Sequence, residues 1–233
     1  MSGESLESVF GWWELAGVDT LVDDVPRNWF QPVLATRPDA SPGLPSPVED
    51  EVPEDMQSLV AWLMASANLP GLGPTRLAPS GNPASGAMIL ADTPDPEDHV
   101  ADALLSGSAG ALFDRMLAAI GRERGGVYLA SLAPARPPGG MIDSAMSSAL
   151  AAIARQHIAL VAPRAVLLMG DATTRALFGT SLAEARGIQH VLNHKGGTIT
   201  AIATFHPRFL LSQPARKADA WADLRLFLEC LEK

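Results

Sequence analysis

The strongest constraint on the fold of this chain is an alternation of short apolar runs with segments of helical periodicity. Apolar runs typical of buried strands occupy residues 86–91, 127–132, 163–170 and 202–205. Residues 109–120 repeat apolar side chains at helical spacing, and residues 171–179 read as a short capped helix. Because parallel strands need helical crossovers, this alternation predicts an α/β fold with a largely parallel sheet. A ligand site is then expected at the carboxyl ends of the strands.

A histidine at the end of the last apolar run is the first candidate for chemistry. His206 follows residues 202–205 and precedes Pro207, which lacks a backbone donor and therefore ends the sheet ladder. An imidazole held at a strand end can donate a hydrogen bond to a developing anion. A single His-Pro pair also occurs without function, so the hypothesis depends on the other segments.

Five segments together resemble the uracil-DNA glycosylase superfamily, and within it the bacterial four-iron-four-sulfur type and its close relatives. They are Asp92-Thr93-Pro94 and residues 107–117, 127–138, 166–179 and 206–211. The resemblance covers residues 56–233 and implies a three-layer α/β/α fold around a central, mainly parallel four-stranded sheet. It also implies base excision repair, in which the N-glycosidic bond of uracil or a related damaged base in DNA is hydrolysed after base flipping.

The same resemblance implies two catalytic residues, Asp92 and His206. His206 would hydrogen-bond the departing base, and Asp92 would orient water or offset the positive charge of the sugar. The family's first motif is usually Gly-Glu-Ala-Pro-Gly, whereas residues 91–95 of this chain read Ala-Asp-Thr-Pro-Asp. The carboxylate at Asp92 is therefore one methylene shorter, and a misplacement of about 1 Å can lower a rate about a hundredfold.

The implied base pocket departs further from the family. Thr93 and Pro94 would line it, Leu105 stands where the family has a stacking aromatic residue, and Ser131 stands where it has a base-reading asparagine. Leucine offers no π-stacking, and serine lacks the paired donor and acceptor of an amide. Two hypotheses stay open: a glycosylase of weak activity, or a catalytically inactive homologue that binds nucleic acid or protein.

Residues that follow His206 are expected to contact DNA. Phe209, Leu210 and Leu211 would wedge into the space that the flipped nucleotide leaves, and Arg208 and Arg216 would hold phosphates.

The net charge of −9 is unfavourable for DNA binding, but its distribution is uneven. Residues 1–60 carry 12 acidic and 2 basic side chains, which leaves 14 acidic and 15 basic ones in residues 61–233. A nearly neutral domain with local basic loops predicts weak, strongly salt-dependent binding to single-stranded or duplex DNA.

The cysteine content argues against an iron-sulfur cluster. A four-iron cluster needs four thiolates, whereas the chain has one cysteine, Cys230, and Ala135 stands where the family would place a ligand. We therefore expect no metal and no other cofactor. One cysteine, no apolar signal segment and no stretch long enough to span a membrane predict a cytoplasmic protein without a membrane partner, and a monomer is expected.

Composition predicts three regions. Residues 1–35 are apolar and rich in aromatic side chains, including Trp12, Trp13 and Trp29, and predict a helical extension that packs on the core or on a protein partner. Residues 36–55 are acidic and proline-rich and predict a solvated linker. Residues 56–233 are expected to form the glycosylase-like domain.

Overall fold

The computed structural model describes residues 52–67, 69, 73 and 75–232. All of them belong to one compact unit, Ser46–Lys233. The predicted extension, residues 1–35, and residues 36–51 of the predicted linker lie outside the described residues, so those boundaries stay predictions. None of the helices in the described ranges is both long and apolar enough to cross a membrane.

The sheet has six strands in the order β1-β3-β2-β4-β6-β5. The four inner strands run parallel, and β1 and β5 pair antiparallel at the two edges. The strands are β1 Ser80–Gly81, β2 Ala87–Ala91, β3 Tyr128–Ser131, β4 Ala165–Met169, β5 His190–His194 and β6 Gly197–Thr204. The mainly parallel sheet is confirmed, but its size is six strands rather than four.

Both additional strands have a local physical reason. A two-residue turn at Lys195 and Gly196 joins β5 to β6, and a connection this short forces antiparallel pairing. At the other edge, β1 is only two residues long, too short to show any periodicity in a sequence.

Helices cover both faces of the sheet. They are α1 Met56–Ala65, α2 Pro96–Ala101, α3 Gly107–Ala119, α4 Ser144–Val161, α5 Asp171–Phe178, α6 Leu182–Ala185, α7 Pro207–Ser212 and α8 Lys217–Glu232. Successive side chains of a strand point to opposite faces. Accordingly Ile89 packs in one core with Phe113 and Phe227, while Met88 and Leu90 pack in a second core on the α4 side. The three layers follow from this division.

The strand register places four residues in one row across the parallel strands. Ala91 at the end of β2 pairs with Ser131 on β3 and with Met169 on β4, and Met169 pairs with Thr204 on β6. The four parallel strands therefore end at the same level. The segments that follow this row converge on one edge of the sheet, as expected for the ligand edge of an α/β fold.

Candidate active site

The alignment of the parallel strand ends brings the two predicted catalytic residues together. Asp92 directly follows β2, and His206 follows β6 two residues beyond Thr204. His206 Nε2 lies 3.5 Å from Asp92 Oδ1, although 113 residues separate them in the chain. Both residues are buried, with exposed fractions of 3% for His206 and 8% for Asp92.

His206 is the N-cap of α7, and this position determines its tautomer. Its Nδ1 accepts a hydrogen bond of 3.3 Å from the backbone N–H of Arg208. A nitrogen that accepts a hydrogen bond carries no proton, so the proton of the neutral ring resides on Nε2. Within the described part of the chain Nε2 makes no hydrogen bond. The site thus contains a buried N–H donor that has no hydrogen-bond partner among the described residues.

Burial lowers the pKa of His206, because the charged imidazolium loses more hydration than the neutral ring. The negative charge of Asp92 opposes this shift, and the positive charge of Arg208 adds to it. Asp95 and Asp98 also favour the charged ring, but more weakly than Asp92 does. The net result is a neutral imidazole at physiological pH.

Both carboxylate oxygens of Asp92 are held by protein donors. Oδ1 accepts from the backbone N–H of Thr93 at 2.7 Å, and Oδ2 accepts from Arg208 Nη2. Arg208, which the sequence hypothesis assigned to phosphate, therefore contacts a carboxylate in this structure. Its other terminal nitrogen, Nη1, donates to Asp95 Oδ1 at 2.7 Å.

Two residues of this charge cluster, Asp95 and Arg136, were missed by the sequence analysis. Asp95 is the N-cap of α2 and forms a capping box with Asp98. Its Oδ1 also lies 3.7 Å from Arg136 Nη1, which donates to the carbonyl oxygen of Pro94. One signal was visible in the sequence: a charged residue, Asp95, at a position where the family has glycine. Its partners were not visible, because they lie 41 and 113 residues away.

The predicted base-pocket residues occupy different environments. Thr93 and Pro94 are buried beside Asp92, and Ser131 is half-buried at the end of β3. Leu105 is only 2% exposed and belongs to the core on the α3 side, with an unusual positive φ of 52°. Its side chain thus packs against the protein interior.

The predicted DNA-contacting residues divide by exposure. Phe209 and Leu211 on α7 are 40% and 39% exposed, whereas Leu210 is 1% exposed and packs in the core. Phe209 also stacks on Phe205 with a ring separation of 4.9 Å. Arg216 lies on the surface and forms an ion pair with Asp219.

The residues present do not fit the iron-sulfur cluster of the type that the sequence resembles. Ala135 is fully buried and has no ligating atom, and Cys230 packs in the core from α8. Among the described residues, no three His, Cys, Asp or Glu side chains are grouped to hold a metal ion.

Residues 78–225 match the Uracil DNA glycosylase superfamily, and this match covers more than half of the chain. The chain belongs to the uracil-DNA glycosylase superfamily. The resemblance inferred from five short segments is thereby confirmed, and the α/β architecture with its parallel central strands agrees with it.

Three relatives, all named Type-4 uracil-DNA glycosylase, share low sequence identity with this chain. The protein of Pyrobaculum aerophilum is 25% identical over 149 residues, which are 61% of this chain and 76% of that protein. The Archaeoglobus fulgidus protein is 22% identical over 153 residues, 62% of this chain and 76% of its own. The Sulfurisphaera tokodaii protein is 24% identical over 142 residues, 58% of this chain and 64% of its own. These relatives are archaeal, whereas the sequence segments suggested the bacterial type.

Proposed function

We propose that this superfamily member hydrolyses the N-glycosidic bond of uracil, or of a related damaged base, in DNA. The observation that carries the proposal is the His206 Nε2–H, a buried donor without a hydrogen-bond acceptor among the residues the structure describes. It lies beside Asp92 at the carboxyl edge of the parallel strands. An unused donor next to a carboxylate suits a reaction that creates an anion and a cation side by side.

His206 acts on the departing base. Cleavage of the glycosidic bond places negative charge on a ring oxygen of uracil, and Nε2–H donates a hydrogen bond to that oxygen. The donor is already desolvated and oriented, so little reorganisation is needed as the charge forms. Loss of one such donor typically raises the barrier by about 3–4 kcal/mol.

Asp92 acts on the sugar. Its negative charge offsets the positive charge that develops at the sugar carbon, and its oxygens orient the attacking water. The hydrogen bonds from Thr93 and Arg208 fix the carboxylate but also draw on its electron density. Both donors restrict the position of the carboxylate, and its side chain is one methylene shorter than glutamate, which supports weak activity.

DNA is the proposed partner, bound weakly and with strong salt dependence. Phe209 and Leu211 present exposed apolar side chains next to the site, and Arg216 presents a surface cation. The N-terminal aromatic residues remain the proposed contact for a protein partner. We also propose that the protein is a cytoplasmic monomer.

A second candidate function is that of a catalytically inactive homologue that binds nucleic acid or protein. Two observations favour it: the burial of Leu105 in the core, and the contact of Arg208 with Asp92. The two candidates differ in one outcome, the release of a base.

Single-turnover incubation with uracil-containing single-stranded and duplex DNA, followed by alkaline cleavage of abasic sites, tests the proposal. We expect slow release of uracil, and His206→Ala should lower the rate by about a hundredfold to a thousandfold. Asp92→Asn should also lower it. A His194→Ala variant, altered in the hairpin between β5 and β6, is the matched control and should retain the rate. No release at protein excess would favour the inactive homologue, and release that His206→Ala leaves unchanged would place the chemistry elsewhere.

A further inference from the structure

We propose that Arg208 is a positioning residue of this site, which fixes the Asp92 carboxylate and keeps the His206 ring neutral with its proton on Nε2. The catalytic value of this arrangement rests on the function proposed above. The arrangement itself does not, because it concerns the free protein.

The geometry of Arg208 supports the positioning role. Its two terminal nitrogens reach different carboxylates, Nη2 donating to Asp92 Oδ2 and Nη1 to Asp95 Oδ1 at 2.7 Å. Nη1 also lies 3.5 Å from the carbonyl oxygen of Thr93. A planar guanidinium held at two corners has little freedom to rotate. Asp92 is therefore held at Oδ2 by a rigid donor, while its Oδ1 faces His206.

The backbone of the same residue sets the tautomer of His206. The Arg208 N–H donates to His206 Nδ1 at 3.3 Å. Protonation of the ring would place a second proton on Nδ1, directly facing this N–H, and the hydrogen bond would be lost. Backbone and side chain of Arg208 therefore both disfavour the charged form of His206.

The charges around His206 also indicate that Arg208 disfavours protonation of the ring. The carboxylates facing it are Asp92 after β2 and Asp95 and Asp98 at the start of α2, all of which favour protonation. Arg208 at the start of α7 is the cation that acts against them. Arg136, from the segment after β3, contacts Asp95 rather than Asp92. Removal of the Arg208 charge would leave the two nearer carboxylates without their shared partner.

Asp95 and Arg208 form a coupled pair. The carboxylate of Asp95 is largely buried, with 16% of its side chain exposed. A buried carboxylate without a partner is costly, and its hydrogen bond from Arg208 offsets that cost. Replacement of both residues should therefore have a smaller effect on His206 than replacement of Arg208 alone.

The test is a titration of the His206 ring nitrogens by ¹⁵N NMR in the full-length free protein. In Arg208→Gln we expect the midpoint for protonation of His206 to rise by about one pH unit. Arg208→Lys, which retains the charge, should keep the wild-type midpoint. The matched control Arg216→Gln removes a cation that pairs with the surface residue Asp219, and should leave the midpoint unchanged.

The double variant Asp95→Asn with Arg208→Gln removes one negative and one positive charge. Its midpoint should return toward that of the wild type, and it provides a second folded background if the single variant proves unstable. An unchanged midpoint in Arg208→Gln, or a midpoint in the double variant as high as in the single one, would overturn the proposal. Neither result depends on base release, so failure of the proposed function would be seen separately.

Discussion

At the scale of single residues, Gly170 shows how the backbone next to the site limits the sequence. It joins β4 to α5 with φ 107° and ψ 166°, a region that residues with a Cβ hardly enter. A Cβ at this position would also lie 3.0 Å from Asp92 Oδ2. Gly170 is therefore needed for two reasons, its own backbone conformation and the position of the Asp92 carboxylate.

We expect Gly170→Ala to lower the free energy of unfolding by about 1–3 kcal/mol and to reduce base release as well. Strain at residue 170 accounts for the first effect, and displacement of Asp92 accounts for the second. Gly179→Ala is the matched control, since Gly179 has a positive φ of 73° but an added Cβ there meets no atom within 4 Å. Denaturant unfolding and the single-turnover assay measure the two effects. Equal loss of activity in both variants would contradict displacement of Asp92 as the cause of the lost activity.

At the scale of elements, helix α7 carries both buried and exposed apolar side chains within six residues. Its N-cap is His206, Leu210 packs in the core, and Phe209 and Leu211 face solvent. Pro207 at the first helical position supplies a backbone angle suited to a helix start. The burial of Leu210 therefore anchors the helix that carries both His206 and the exposed apolar side chains.

The two neighbouring leucines should respond differently to truncation. Leu210→Ala should lower the free energy of unfolding by about 2–5 kcal/mol, because it leaves a cavity in the core. Leu211→Ala should change stability by less than about 0.5 kcal/mol and weaken DNA binding. Denaturant unfolding and DNA-binding titrations at one fixed salt concentration measure these effects. If Leu211→Ala binds DNA as tightly as the wild type, α7 does not use this side chain on DNA.

At the scale of the whole molecule, buried histidines couple folding to pH. His157 on α4 is 3% exposed, and its Nε2 lies 2.9 Å from the hydroxyl oxygen of Tyr128 on β3. Burial lowers the pKa of His157 to about 4, against about 6.5 in an unfolded chain. Between these values the unfolded state binds more protons than the folded state, so acid favours unfolding. The lowered pKa of His206 acts in the same direction.

We expect the free energy of unfolding to fall by about 3 kcal/mol through His157 as the pH drops from about 6.5 to 4. His157→Gln should flatten the pH dependence in this range. Tyr128→Phe is the control: it should lower stability by about 1 kcal/mol at neutral pH through the lost hydrogen bond, yet keep the slope, since burial causes the shift. Denaturant unfolding across this pH range is the measurement. An identical slope in His157→Gln would refute the assignment.

The local pattern of apolar residues was sufficient to predict the parallel strands. The apolar runs at residues 86–91, 163–170 and 202–205 correspond to β2, β4 and the buried end of β6, because strands covered on both faces need a continuous apolar run. The ends of these runs located Asp92 and His206 at one edge of the sheet. The edge strands β1 and β5 lie outside the predicted apolar runs, and β1 is too short, at two residues, to show any alternation.

The sequence by itself determined the mainly parallel sheet, the edge at which Asp92 and His206 lie and the lack of cluster ligands, because these depend on residue type and on local spacing. Only the tertiary structure decided the partners within the site. It paired Arg208 with Asp92 and Asp95, turned Leu105 and Leu210 into the core and left the His206 Nε2–H without a hydrogen bond in the described chain. Side-chain pairing depends on which segments meet in space and on which charges need a partner once buried. Neither can be inferred from the residues of one segment alone.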